Sequence, residues 1–370
     1  MRSTATAEPG ERVLGGGNPG QAGAAAGAMP GGEDFARLTD PLRPELLAYC
    51  YRMLGSVHDA EDQVQETLVR AWRSYGEFQG RASLRTWLYR IATNTCLRAL
   101  ENRSRRPLPA GLGGPSSDPD GPLDAARPEV PWLEPFPDAL LGAESADPAA
   151  IVTARHGMRL ALIAALQYLP GRQRAVLILR DVLMWRAAEV AELLGLSTPA
   201  VNSVLHRARA GLRNAAPAQD EIREPADADQ RALLDQYAAA LENADLSALM
   251  RLLRADAVVE MPPVPTWFAG HAQISRFLAA HVLREPGGLR TVPAAANGQP
   301  ALAAYLRGHD GVYRAHAVQV LTCTGTGVVR IVSFIEPRLF ATFGLPQELP
   351  ARRWDEREDE RQAAASPRPS

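Results

Sequence analysis

The stretch Trp185–Arg213, WRAAEVAELLGLSTPAVNSVLHRARAGLR, decides how this chain is read. Ala188, Val190, Ala191, Leu193 and Leu194 support a first short helix, and Gly195 supplies a tight turn. Ser197 or Thr198 can cap a second helix, whose first turn tolerates Pro199. In that helix Val201, Val204, Leu205, Ala208 and Leu212 recur at helical spacing as an inward stripe. Asn202, Ser203, His206, Arg207, Arg209 and Arg213 point outward. Amides and hydroxyls near a helix start suit base edges, and arginines further along suit guanine or phosphate. The pattern predicts a helix-turn-helix that lays a basic helix in the DNA major groove. The plainer reading is a pair of amphipathic helices packed only against each other.

Composition bounds the rest. A chain of 370 residues predicts two or three domains. All 40 basic residues are arginine, which most simply reflects a GC-rich coding genome, although arginine is also the better bidentate donor. A net charge of −2 looks wrong for a DNA binder until its distribution is seen. From Phe78 to Arg106 the bases are Arg81, Arg85, Arg90, Arg98, Arg103, Arg105 and Arg106, against Glu101 alone. From Pro107 to Pro148 the sign inverts, with Asp118, Asp120, Asp124, Glu129, Glu134, Asp138, Glu144 and Asp147 facing only Arg127. Opposite fields on separate segments mean separate jobs. Cys50, Cys96 and Cys323 lack metal-ligand spacing and read as buried thiols, so no metal and no cofactor are expected. Neither a membrane span nor a secretory leader is visible, and the expected location is cytoplasmic.

The segments divide as follows. Residues 1–32 are too poor in large apolar side chains to fold. Residues 33–106 form a first helical domain, with an amphipathic helix broken at Gly55-Ser56, a second over Asp59–Tyr75 with Val64, Leu68, Ala71 and Trp72 inward, and a third from Leu84 to about Arg103. Trp87, which precedes Leu88 and Ile91, reads as core rather than as a base-stacking platform. Residues 107–148 are an acidic Pro/Gly-rich linker, and 149–215 a second helical domain holding the helix-turn-helix at about 187–206. Residues 226–345 change texture. Helices over Asp229–Asn243 and Leu246–Arg254 lead into strands at Ala257–Met261, Ala301–Arg307, Tyr313–Thr322 and Val328–Ile335, predicting an α+β domain with a curved antiparallel sheet. Residues 346–370 form a charged tail, alternating arginine and acid from Arg352.

The run DAEDQVQETLVRAW (Asp59–Trp72), followed by FQGRASLRTWLYRIATNTCLRALENRSRR, resembles region 2 of the sigma-70 family of RNA polymerase sigma factors. LPGRQRAVLILRDVLMWRAAEVAELLGLSTPAVNSVLHRARAGLR resembles region 4, and the short form without a middle domain is similar to the extracytoplasmic-function group. The resemblance covers about residues 34–215. It implies a multi-domain fold of two all-α sigma domains. It also implies contact of Asp59, Asp62, Gln65 and Glu66 with the clamp helices of the polymerase largest subunit, and of the chain with the flap region. The Phe78–Leu84 loop and the following helix would handle the −10 element, and Thr198–Arg213 would read the −35 element.

The residues make sense of those roles. Extruding a base costs on the order of a few kcal/mol, and Gln79, Arg81 and Ser83 offer polar walls for it. Arg85, Arg90 and Asn94 can track the adjacent strand, and Arg98, Arg103, Arg105 and Arg106 the phosphates. Ser197, Thr198, Pro199, Asn202, Ser203, His206, Arg207, Arg209 and Arg213 make the corresponding −35 set. The linker resembles the sigma segment that threads the polymerase cleft, with a plain flexible tether as the alternative.

The third domain, through LLDQYAAALENADLSALMRLL and VVEMPPVPTWFAGHAQISRFL, resembles a SnoaL-like, ketosteroid-isomerase-like α+β cone. ANGQPALAAYLR and FATFGLP look like the C-terminal extensions of a minority of such sigma factors. Glu260, Trp267 and His271 are candidate pocket residues, but no acid/base pair at fixed spacing emerges. The sequence therefore predicts a non-enzymatic promoter-recognition factor, modulated by a fused domain that touches the sigma domains. Alternatives are a ligand-sensing regulator independent of polymerase, or an enzyme active in the cone through Glu260 or His271.

Overall fold

A helix that is apolar on every side has no solvent face and belongs in a core. In the computed structural model, which describes residues 32–101, 103–141, 157–215 and 227–351, a short α1 (Gly32–Thr39) leads into such a helix, α2 (Arg43–Leu54), buried at each position from Leu46 to Leu54. The expected amphipathic character gives way because neighbours surround it. Even Arg52 is inside, donating to the Gly157 carbonyl at 2.9 Å, and burial lowers its pKa to about 10.

Gly55 ends α2 at φ 71, where a Cβ would stand 2.8 Å from Leu133. Ser56 then caps α3 (Val57–Ser74), its Oγ accepting from the Asp59 amide at 3.1 Å. Val64 and Ala71 face inward as expected, but Trp72 is 42 % exposed. After a short loop, α4 (Leu84–Glu101) completes the first module. Trp87 is half-buried against Phe78, with ring centroids 4.8 Å apart.

The second helical module contains α5 (Leu160–Leu166), α6 (Gly171–Leu177), α7 (Ala187–Leu194) and α8 (Thr198–Ala215). Buried Arg174 of α6 stitches it to the first. Its guanidinium donates to the carbonyls of Met53, Gln167 and Leu169.

The C-terminal module opens with α9 (Asp227–Glu242) and α10 (Leu246–Leu252). Its strands are β1 (Leu253–Met261), β2 (Val264–Ala269), β3 (Leu289–Ala296), β4 (Gln299–Arg307), β5 (Tyr313–Thr324), β6 (Gly327–Phe334) and β7 (Glu348–Leu349). α11 (His271–Phe277) follows β2, and α12 (Leu339–Thr342) follows β6. The sheet runs β2-β1-β6-β5-β4-β3, with β7 beside β5. It is mixed rather than purely antiparallel, because β1 lies parallel to β6.

Both faces of this sheet are apolar. Ala257, Val259, Met261, Leu321 and Cys323 pack under the module's own helices. Ala301, Ala303, Tyr305, Val318, Val320 and Phe334 join the same contiguous buried cluster as the two sigma-like modules. The strap, residues 107–141, is part of this packing, with Trp132, Leu133 and Phe136 buried. A free tether therefore does not describe it. The described cysteines are all buried free thiols, and burial pushes the Cys96 thiol up. The readings made for residues 1–31, 142–156, 216–226 and the tail from 352 lie outside the described residues.

Candidate polymerase and promoter surfaces

The helix-turn-helix is built as its residues dictate. Gly195 is left-handed at φ 64, and Ser197 Oγ accepts from the Ala200 amide at 3.3 Å. Val201, Leu205 and Ala208 are buried on the inner side of α8. Ser197, Thr198, Pro199, Asn202, Ser203, His206, Arg207, Arg209 and Arg213 are all exposed on the outer side. Among the described residues, Arg209 alone of these forms an ion pair, bidentate to Asp181 at 2.7 and 2.8 Å.

On α3, Asp62 and Gln65 are exposed, and Glu66 is half-exposed and paired with Arg70. Val69 and Trp72, 41 % and 42 % exposed, extend the same face. This acidic ridge with an apolar end was legible only in its acidic half. Asp59 is set apart from it. Its carboxylate is half-buried and clamped by Arg103 and Arg106, whose hydrogen bonds and charges hold its pKa down against the opposing effect of burial.

The basic set divides in two. Gln79, Arg81, Ser83, Asn94 and Arg98 are exposed. The other arginines are occupied. Arg85 Nε donates to both carboxylate oxygens of Glu45, at 2.8 and 2.9 Å, and its guanidinium lies over the rings of Tyr89 and Trp185. Arg90 donates to the Glu192 carbonyl of α7 at 3.1 Å, while Arg105 lies over Tyr168 with 4.4 Å to the ring centroid. Arg85, Arg90 and Arg105 of the candidate −10 set thus touch the second helical module across a seam, while the exposed five make no such contact among the described residues.

The strap and the sheet hold that seam. Glu134 accepts from Ser56 Oγ at 2.7 Å and the Val57 amide at 3.1 Å, and pairs with His58 Nδ1 at 3.0 Å. The His58 ring is thereby raised in pKa. Burial tends to raise the Glu134 carboxyl, but hydrogen bonds from His58 and Ser56 outweigh it and leave it lowered. Asn297, fully buried at φ 57 in the β3–β4 turn, ties three segments together. Its Nδ2 donates to Tyr51 Oη and to the Met158 carbonyl, both at 2.8 Å, and its Oδ1 accepts from the Phe136 amide at 2.9 Å. Gln299 Oε1 accepts from the Leu160 amide at 3.0 Å. Asn297-Gly298 is a strong hairpin signal in the sequence, but the distant partners of these joints carry no local signal.

The three candidate pocket residues do not share a cavity. Glu260 is fully buried, bound by Arg330 and by the Ala110 amide of the strap. Trp267 Nε1 donates to the Gly113 carbonyl at 3.0 Å, and His271, exposed, lies 2.8 Å from the Met250 carbonyl.

Comparison with known proteins decides the family. Residues 38–106 match Sigma-70 region 2, and residues 159–212 match Sigma-70, region 4. The chain is 51 % identical over 318 residues to the ECF RNA polymerase sigma factor SigG of Mycobacterium tuberculosis, covering 85 % of each chain. It belongs to the ECF RNA polymerase sigma factors. SigJ of the same organism is 30 % identical over 294 residues, covering 77 % of this chain and 86 % of SigJ. The crystal structure of SigJ superposes with a TM-score of 0.55 at 25 % identity, covering 84 % of this chain and 99 % of that one. This sigma factor directs transcription initiation through RNA polymerase, with regions 2 and 4 serving the −10 and −35 promoter elements. No helix among the described residues is long and apolar enough to cross a membrane.

Proposed function

We propose that Asp62, Gln65 and Glu66, with Val69 and Trp72, dock on the clamp helices of the polymerase largest subunit. Region 4 contacts the flap, and the exposed face of α8 reads the −35 element. Asn202 and Ser203 suit base edges, whereas Arg207 and Arg213 suit guanine or phosphate. Gln79, Arg81 and Ser83 receive an extruded −10 base, and Asn94 and Arg98 follow the strand. Arg85, Arg90, Arg103, Arg105 and Arg106 join them only after release from their present partners. Asp59, freed from Arg103 and Arg106 as those turn to phosphate, then joins the polymerase-facing ridge.

The observation that carries this reading is the division of α8, whose polar positions are exposed while Val201, Leu205 and Ala208 are sealed inside. The C-terminal module is a non-enzymatic brake acting in the cytoplasm, and it extends past the expected end at residue 345 to include β7. It holds the strap and, through Asn297, both sigma modules. Run-off transcription with core polymerase tests the proposal. The full chain should initiate from a cognate promoter, and Asp62→Ala with Glu66→Ala should abolish initiation without weakening binding to a −35 duplex. Unchanged initiation by that variant would overturn it.

A further inference from the structure

A chamber of about 500 Å³ lies in the C-terminal module between the inner face of the sheet and α11. That is within the range of small-molecule sites. Met261, Phe277, Leu306 and Ile335 give it apolar walls. Two backbone irregularities aim polar groups into it. Beyond α11 the helix widens into a π-turn over Leu278–Val282, and His281 of that turn lines the chamber. The Nε2 of His281 is buried without a hydrogen-bond partner among the described residues, while its ring stacks on Phe277 at 5.6 Å. On the sheet, Ala304 pairs with Ala317 and Tyr305 with Ala315, so His316 is the extra residue of a β-bulge. His316 also lines the chamber, and burial lowers its pKa. π-turns and bulges both concentrate at functional sites because they re-aim side chains that regular structure would not. Two such devices converging on one cavity, one bearing an unsatisfied nitrogen, point to a missing ligand rather than to core packing.

Gln319 and Ser333 add neutral hydrogen-bonding groups, and Arg284 and Arg307 outnumber Glu285 among the lining residues. That balance favours an acid. One further wall is Leu123, which belongs to the strap between regions 2 and 4. On either side of it the strap is pinned by Asp120 to Arg276 and by Asp124 to Thr266. A ligand filling the space beneath Leu123 gains contact only while the strap is docked, so by linkage it holds the strap down.

We propose that this chamber binds an amphipathic organic acid, its apolar body against Met261, Phe277 and Ile335 and its head recognised by His281 and His316, and that its binding locks the interdomain strap. The effect on initiation rests on the brake described above; the binding site does not.

The test uses full-length protein and decanoate, with 1-anilinonaphthalene-8-sulfonate as fluorescent reporter and decan-1-ol as the neutral comparison. Decanoate should displace the dye from one saturable site, at least about tenfold more tightly than decanol. His281→Leu and His316→Leu, checked for an unchanged melting temperature, should each weaken decanoate by about tenfold, the worth of a lost hydrogen bond to a charged head. Leu123→Ala should weaken it as well. Saturating decanoate should slow hydrogen exchange at the Ser116, Asp124 and Arg127 amides, which bond to β2 and the turn before it. Dye binding that never saturates, equal affinity for the alcohol, indifference to both histidine variants, or unaltered exchange in the strap would each overturn the proposal. Run-off transcription by the ligand-free chain reports separately on its work as a sigma factor.

Discussion

His58 and Glu134 form the joint through which acidity reaches the fold. The His58 pKa is raised by its hydrogen bond to Glu134, so the stabilisation it lends is complete below the unfolded value of roughly 6.5 and lost as pH rises through the higher folded value. Glu134 is lowered, so its share is present above its unfolded pKa and lost as pH falls through the folded one. The joint is therefore tightest in mildly acidic solution. Melting curves of the wild type and His58→Ala should differ most near pH 5.5 and converge by about pH 8.5. A difference that does not vary with pH would remove the ion pair from this account. Asn297 is the costlier position. Replacing it with alanine strands the Phe136 amide and the Met158 carbonyl, and should destabilise the chain by about 1–3 kcal/mol for each buried group left unsatisfied. Urea unfolding measures that loss. Neither residue was legible in advance, because each acts through partners far away in sequence: Glu134 lies 78 positions from Ser56 and Asn297 lies 246 from Tyr51.

Among the elements, local chemistry was legible where it was self-sufficient. The helix-turn-helix carries its own cap, its own left-handed glycine and its own apolar stripe, so its reading needed no distant partner. The exposed face of α8 yields a direct prediction. Arg207→Ala should weaken binding to a −35 duplex and lower the salt dependence of the affinity by about one ion if it contacts phosphate. Fluorescence anisotropy across a salt series reads both, and an unchanged slope with relaxed sequence preference would move Arg207 to a base edge. The amphipathic reading of α2 fails because the surrounding modules bury its polar positions as well. β2 and β3 were missed for a related reason. Val264–Ala269 and Leu289–Ala296 carry Pro265 and Pro293, which argue against a strand except at the edges, where both strands lie.

For the molecule as a whole, the net charge of −2 conceals a closed arrangement in which five of the seven arginines between Phe78 and Arg106 already have anionic, carbonyl or aromatic partners. Composition could reveal the opposed fields but not that they are satisfied internally. The seam is thin at Arg90, which meets Glu192 across solvent-exposed surface. Arg90 is itself a candidate DNA contact, so the cleaner variant is Glu192→Ala. It removes the carboxylate beside Arg90 while the bond to the Glu192 main-chain carbonyl stays, and should raise affinity for a single-stranded −10 oligonucleotide by at most a few-fold, in keeping with a surface pair of at most about 1 kcal/mol. A titration showing no gain would place the restraint in the strap instead.

The doubly apolar sheet limits how such a protein can open. Lifting the C-terminal module away bodily would wet Tyr305, Val318, Val320 and Phe334 together, so wholesale departure is a poor route to activation. The economical movement keeps the sheet seated as a fixed bearing, while the DNA-reading helices swing apart on either side of it. Removing this module would leave its neighbours with an exposed greasy scar.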